Sequence, residues 1–132
     1  MQREYFTHYS GRLNRDMHIL IHGDRGCPLL VYPTQDSKCT NFEDFGMIDT
    51  IADFIDSGQV QVFTVDTVDR ESWYDLYGDQ ARRSDIQESY YHYIVDEVVP
   101  FINSRNTSGK LPVAVGCSLG ATHAGIVALR RP

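Results

Sequence analysis

The chain has 132 residues, 42% of them hydrophobic and 23% charged, with a formal net charge of −6. This is the composition of an ordinary soluble globular chain, long enough for one domain at most. Its acidity argues against nucleic acid or an anionic membrane as partner. Met1–Ser10 has no apolar stretch of the kind that marks a secretory signal, and no run is long enough to span a bilayer. Cys27, Cys39 and Cys117 follow no metal or redox spacing. They read as free thiols of a cytoplasmic protein.

In chain order, residues 3–9 (REYFTHY) and 16–22 (DMHILIH) are strand candidates joined by a turn at residues 10–14. Residues 23–26 form a second turn, and 27–32 (CPLLVY) are a continuous apolar run, as in a strand buried on both faces. Residues 33–41 are a polar loop. Residues 42–57 carry apolar side chains at helical spacing behind Asn41, Glu43 and Asp44, and Gly58 ends the helix. Residues 60–65 (VQVFTV) read as a strand and 66–80 as an irregular segment with Trp73, Tyr74 and Tyr77. Residues 84–104 predict a helix with Ile86, Tyr90, Tyr93, Ile94, Val98, Phe101 and Ile102 on one face, which Pro100 is expected to kink or to restart as a new turn. Residues 111–115 (LPVAV) predict a buried strand and 121–129 a helix rich in small residues. Strands alternating with helices in this way predict an α/β fold.

Between the last strand and helix stands Gly116-Cys117-Ser118-Leu119-Gly120, the G-x-S-x-G pattern of a nucleophile elbow. The spelling has a physical reason. A strand must turn sharply into a helix with serine strained at the tip, and glycines on either side leave room for close-packed backbone. Ser118 is therefore the candidate nucleophile, and the Leu119 N–H a candidate oxyanion donor. A glycine-rich turn without chemistry is the plainer reading of the same five residues. A serine also needs a base. In this fold the acid and histidine follow the serine in the chain, yet after Gly120 there is no acidic residue and only His123. On a helix, five residues carry His123 away from the serine, so it is expected to pack or bond locally. Asp66 and Asp69 precede the serine, against that order. His22-Gly23 is read as a structural turn, Cys117 as small filler behind the elbow, and Tyr90, Tyr91 and Tyr93 as the covering face of a helix.

The chain resembles the putative-esterase branch of the α/β-hydrolases, which includes feruloyl esterases, S-formylglutathione hydrolase and the mycolyltransferases. The matching stretches are residues 28–35 (PLLVYPTQ), 62–66 (VFTVD), 72–74 (SWY), 97–102 (EVVPFI) and 113–120 (VAVGCSLG). The resemblance implies the N-terminal half of an α/β-hydrolase fold: a mostly parallel sheet flanked by helices, ending just after the elbow helix, with residues 1–132 as a single partial domain. It implies Ser118 as nucleophile and Gln35, with Thr34 second, as the other oxyanion N–H. The loops at the carboxyl ends of the strands would form the site, which makes Thr34, Trp73, Tyr74 and Tyr77 candidate pocket residues, with plain packing of the three aromatics the alternative. The implied activity is that of a carboxylesterase-like serine hydrolase acting on a small ester through an acyl-enzyme, with no cofactor or metal. Its acid and histidine are expected beyond residue 132, so a missing C-terminal half or self-association is expected to complete it. A non-catalytic binding domain and an acyltransferase on the same scaffold are the alternatives.

Overall fold

The computed structural model describes residues 1–73 and 75–132. Five strands form one sheet: β1 (Arg3–Ser10), β2 (Arg15–His22), β3 (Cys27–Tyr32), β4 (Val60–Val65) and β5 (Val113–Gly116), in the order β1-β2-β4-β3-β5. β1 and β2 form an antiparallel hairpin, and β2 pairs antiparallel with β4. β3 lies between β4 and β5 and is parallel to both, with Leu30 opposite Phe63 on one side and Ala114 on the other. The hairpin turn is tied down by Glu97, whose carboxylate accepts from the Ser10 hydroxyl and the Gly11 and Arg12 N–H groups.

Alternation along the central strands fills two cores. Ile19 and Ile21 of β2, Leu30 and Tyr32 of β3, and Phe63 and Val65 of β4 face one helical layer. That layer runs from α4 (Gln80–Tyr93) through a π turn (Ile94–Val98) into α5 (Val99–Arg105), and is completed by α6 (Leu119–Arg130). Val31 and Val62 face the other way, onto Ile48 and Ile55. β3 and β4 are thus covered on both faces, which is why their sequences are nearly continuous apolar runs.

Two expectations are corrected and a third is decided between its alternatives. Residues 42–57 form not one helix but three short ones, α1 (Asn41–Asp44), α2 (Met47–Thr50) and α3 (Ala52–Asp56). Gly46, at φ 78°, stops the first in a left-handed turn. Of the two outcomes expected at Pro100 the structure has the second: it makes no kink but stands in the first turn of α5, where a missing N–H costs nothing. The irregularity lies one turn earlier, in the π turn. The strand expected over residues 111–115 is shifted to Val113–Gly116, and it is an edge strand rather than a buried one, with Val113 48% exposed.

Candidate active site

Parallel β3, β4 and β5 bring their carboxyl ends together, and with them the loop after Tyr32, the loop after Val65 and the turn at Cys117-Ser118. Ser118 sits between β5 and α6 at φ 58° and ψ −128°. This is a conformation costly for any residue with a Cβ, and here it throws the side chain to the exposed surface. The two glycines of the pattern have distinct duties. A Cβ on Gly116 would fall on the Gly120 carbonyl and within 2.6 Å of the Ala121 nitrogen, and one on Gly120 would fall on the carbonyl oxygens of Tyr32 and Pro33. The first turn of α6 is therefore pressed directly against the start of the loop that follows β3. Gly120 and Ala121 donate their N–H groups to Cys117 and Ser118 carbonyls, both at 3.0 Å. Among the described residues the Leu119 N–H has no acceptor, at a helix N-terminus that favours negative charge.

The loop at residues 33–40 is pinned almost residue by residue. The Thr34 N–H donates to Asn41 Oδ1 (3.2 Å), the Asp36 N–H to Asp69 Oδ2 (3.0 Å), the Ser37 N–H to the Thr34 carbonyl (3.1 Å) and the Cys39 N–H to Asp66 Oδ1 (2.8 Å). The hydroxyls of Thr64 and Thr67 hold the Cys39 and Ser37 carbonyls. Between two clamped neighbours, the Gln35 N–H is left without an acceptor among the described residues. Thr34, the second choice for that donor, is corrected: its N–H is already spent on Asn41. Its hydroxyl is engaged with Ser37 Oγ at 2.9 Å.

His123 is buried, with Nε2 2.8 Å from Asp69 Oδ1 and its ring enclosed by Tyr32 and Tyr90. It makes no hydrogen bond to Ser118. Asp69, with no exposed side-chain surface, accepts from the loop after β3 with its other oxygen. The sequence offers no sign of this partnership, since Asp36, Asp69 and His123 lie 33 and 54 residues apart. The surrounding groups are chemically quiet. Burial, helped by Asp66, pushes the Cys39 thiol up to about 12, and burial raises the Tyr32 and Tyr90 hydroxyls well above the usual range. Cys117, expected as filler, is exposed instead, because the turn carries it outward beside Ser118. His22 is no bare turn residue: it ends β2, buried, with Nε2 2.6 Å from Glu43.

Trp73 is half-exposed. Its indole N–H donates to Gln87 at 2.7 Å, and it lines a surface cavity of about 390 Å³ with Ser72, Gln80, Arg83 and Gln87. Thr34 and the fully exposed Tyr77 are not part of that cavity, and Tyr74 lies outside the described residues. Among the described residues no group of three His, Cys, Asp or Glu side chains could hold a metal ion, and no helix is long and apolar enough to cross a membrane.

Solved structures share this architecture, three of them as follows. The S-formylglutathione hydrolase of Agrobacterium tumefaciens superposes with a TM-score of 0.71 at 20% identity, over 98% of this chain and 53% of that one. The S-formylglutathione hydrolase FrmB of Staphylococcus aureus gives 0.65 at 13% identity, over 90% and 48%. An uncharacterised protein of Capnocytophaga ochracea gives 0.52 at 22% identity, over 87% and 33%. The chain thus spans about half the length of the two hydrolases. No curated protein matches it in sequence. The sequence profile of the family described as "Putative esterase" matches residues 10–132, and with the fold in agreement the chain belongs to that esterase family of the α/β-hydrolase fold.

Proposed function

We propose that this chain carries the nucleophile of a carboxylesterase-like serine hydrolase that acts on a small ester through an acyl-enzyme. The observation that carries this reading is Ser118 at φ 58°, exposed at the tip of a strand-to-helix turn whose two glycines pack against backbone. Strain of this kind persists only where its surroundings enforce it, and it concentrates at functional sites. In the proposed reaction Ser118 Oγ attacks the acyl carbon, and the Leu119 and Gln35 N–H groups hold the developing oxyanion. The alcohol leaves with a proton, and water then releases the acid. His123 is committed to Asp69, so the base and its acid come from sequence beyond residue 132. The chemistry asks for no metal or cofactor, and the free thiols suit a cytoplasmic setting.

The test is a fluorophosphonate probe and a set of short-chain p-nitrophenyl esters, applied to the intact protein that contains these residues. S-formylglutathione, for which two of the structural neighbours are named, belongs in the same set. The probe should label Ser118. Ser118→Ala should abolish labelling and lower turnover by roughly 10³-fold or more, the scale of losing a catalytic-triad member. An intact protein that takes no probe and turns over none of these substrates is a non-catalytic binding domain. One that hands the acyl group to an alcohol faster than to water is an acyltransferase.

The proposal extends to what completes the sheet. Among the described residues β5 pairs with β3 alone, and Leu111 and Leu129 are 74% and 86% exposed. We expect this edge to be covered by further strands of the same protein or by a second copy, because an apolar unpaired edge is a template for association. Residues 1–132 expressed alone should scatter light as more than a monomer and bind ANS. A monodisperse monomer with cooperative unfolding would count against a covered edge.

A further inference from the structure

We propose that Asp69 is a positioning residue that holds the two halves of the oxyanion site at a fixed separation, an inference that rests on the hydrolase reading above. One carboxylate spans both halves. Its Oδ2 accepts the Asp36 N–H at 3.0 Å, on the loop that carries Gln35. Its Oδ1 lies 2.8 Å from His123 Nε2, on the helix whose first residue is Leu119. His123 stands four residues after Leu119, one helical turn further along the same face.

The loop contact acts on the donor itself. The direction of the Gln35 N–H is set by the peptide planes on either side of it. The preceding plane is fixed by the Thr34 N–H on Asn41, and the following one by the Asp36 N–H on Asp69. Asp36 lies at φ 53°, a strained value for a residue with a Cβ, and its carboxylate is gripped by Arg70 at 2.9 Å. Without Asp69, the loop would lose the bond that resists relaxation of Asp36 out of this conformation, and the Gln35 N–H would swing with it.

The helix contact acts on the other donor. His123 is enclosed by Tyr32 and Tyr90, so its ring is not free to turn, and it transmits the position of Asp69 to α6. A carboxylate with no exposed surface is costly unless each oxygen is matched by a donor. Here each oxygen has one, and the two donors come from the two elements that must be held together.

The experiment compares Asp69→Ala and Asp69→Asn in the intact protein. Alanine cuts both links. Asparagine keeps both, because its carbonyl still accepts the Asp36 N–H and its amide donates to His123 Nε2 once the imidazole carries its proton on Nδ1. Folded Asp69→Ala should lose about 30-fold or more in kcat and in the rate of Ser118 phosphonylation, approaching the 10²–10³-fold cost of deleting an oxyanion donor. Its KM should stay within about threefold, since the ground-state carbonyl makes little use of the hole. Asp69→Asn should retain kcat within about fivefold. Hydrogen exchange at the Asp36 amide should rise about tenfold or more in the alanine variant, while β4 and α4 amides stay as they were. A folded Asp69→Ala with full kcat, unchanged Asp36 exchange, or an asparagine variant as slow as the alanine one would overturn the inference while leaving the hydrolase reading intact. If alanine prevents folding, His123→Phe takes its place: it keeps a ring and cuts the helix link while leaving the Asp36 N–H on Asp69, so kcat and Ser118 phosphonylation should fall with KM and Asp36 exchange unchanged, and full kcat would overturn the inference. A wild-type protein that takes no probe and turns over no ester defeats the hydrolase reading itself, and the inference falls with it.

Discussion

β4 and β5 flank the same strand, β3, in the same parallel sense, and both are short valine-rich runs, yet they meet opposite fates. Every residue of β4 from Gln61 to Val65 is buried, whereas Val113 and Ala114 of β5 are exposed. The difference is one of neighbours, not of composition. β4 has β2 on its far side and helices on both faces, while among the described residues β5 pairs with β3 and packs mainly on α6, with Val115 reaching the Ile48 and Ile55 cluster. An apolar run records what its faces require. Whether that requirement is met depends on how many elements reach it. The contrast divides the labour: β4 and its surroundings hold the fold together, and β5 with α6 carries the strained serine.

The sharpest way to break this comparison is a pair of substitutions. Phe63→Ala in β4 empties a fully buried site and should cost about 3–5 kcal/mol in urea unfolding. Val113→Ala in β5 removes methyl groups already half in water and should cost less than about 1 kcal/mol. If Val113→Ala in the intact protein instead costs about 2 kcal/mol or more, on the scale of burying a whole valine side chain, something covers β5 there and the proposed sheet extension gains support.

A smaller effect separates stability from geometry within α6. Gly120→Ala sets a Cβ on the Tyr32 and Pro33 carbonyl oxygens, which are backbone and cannot rotate away. It should cost about 1–3 kcal/mol as overpacking and slow Ser118 labelling more than it lowers the melting temperature. Gly125→Ala, five residues along the same helix with nothing within 4 Å of the new Cβ, should stabilise by about 0.5–1 kcal/mol. If both glycines tolerate alanine equally, the close approach at Gly120 is not what fixes the turn.

The division also marks what was legible in the sequence. Cys27–Tyr32 and Val60–Val65 fall where the apolar runs place them, because strands buried on both faces write their burial into consecutive residues. The G-x-S-x-G spelling predicts a strained serine between strand and helix, and Ser118 has that conformation, since the glycine spacing is itself a steric statement. The spacing over 42–57 predicts one continuous helix because hydrophobic periodicity does not register a left-handed residue at Gly46. The partnerships of Asp36, Asp66 and Asp69 were not legible at all. Each joins a loop to a group 27 to 54 residues away, and no local pattern encodes a contact made by topology.

The mildest test asks whether the antiparallel side of the sheet owes part of its advantage to charge. Glu43, on α1, accepts from Arg3 on β1 through both carboxylate oxygens, at 2.8 and 3.0 Å, and lies 2.6 Å from His22 Nε2 at the end of β2. The Arg3 hydrogen bonds, with His22 adding to them, hold its carboxyl at about 2, below an ordinary value of 4.5. A carboxylate depressed in the folded state stabilises above its unfolded pKa and ceases to do so as pH falls through the folded one. Glu43→Gln should therefore lower stability by about 1 kcal/mol at pH 7, the upper end for a partly exposed bidentate pair. The difference should hold down to about pH 5, shrink through pH 4 and 3, and fade out only below about pH 2, where the folded-state carboxyl is itself protonated. High salt should reduce it at pH 7. A Glu43→Gln penalty unchanged from pH 7 to pH 2 would mean that shape, not charge, joins α1 to the hairpin.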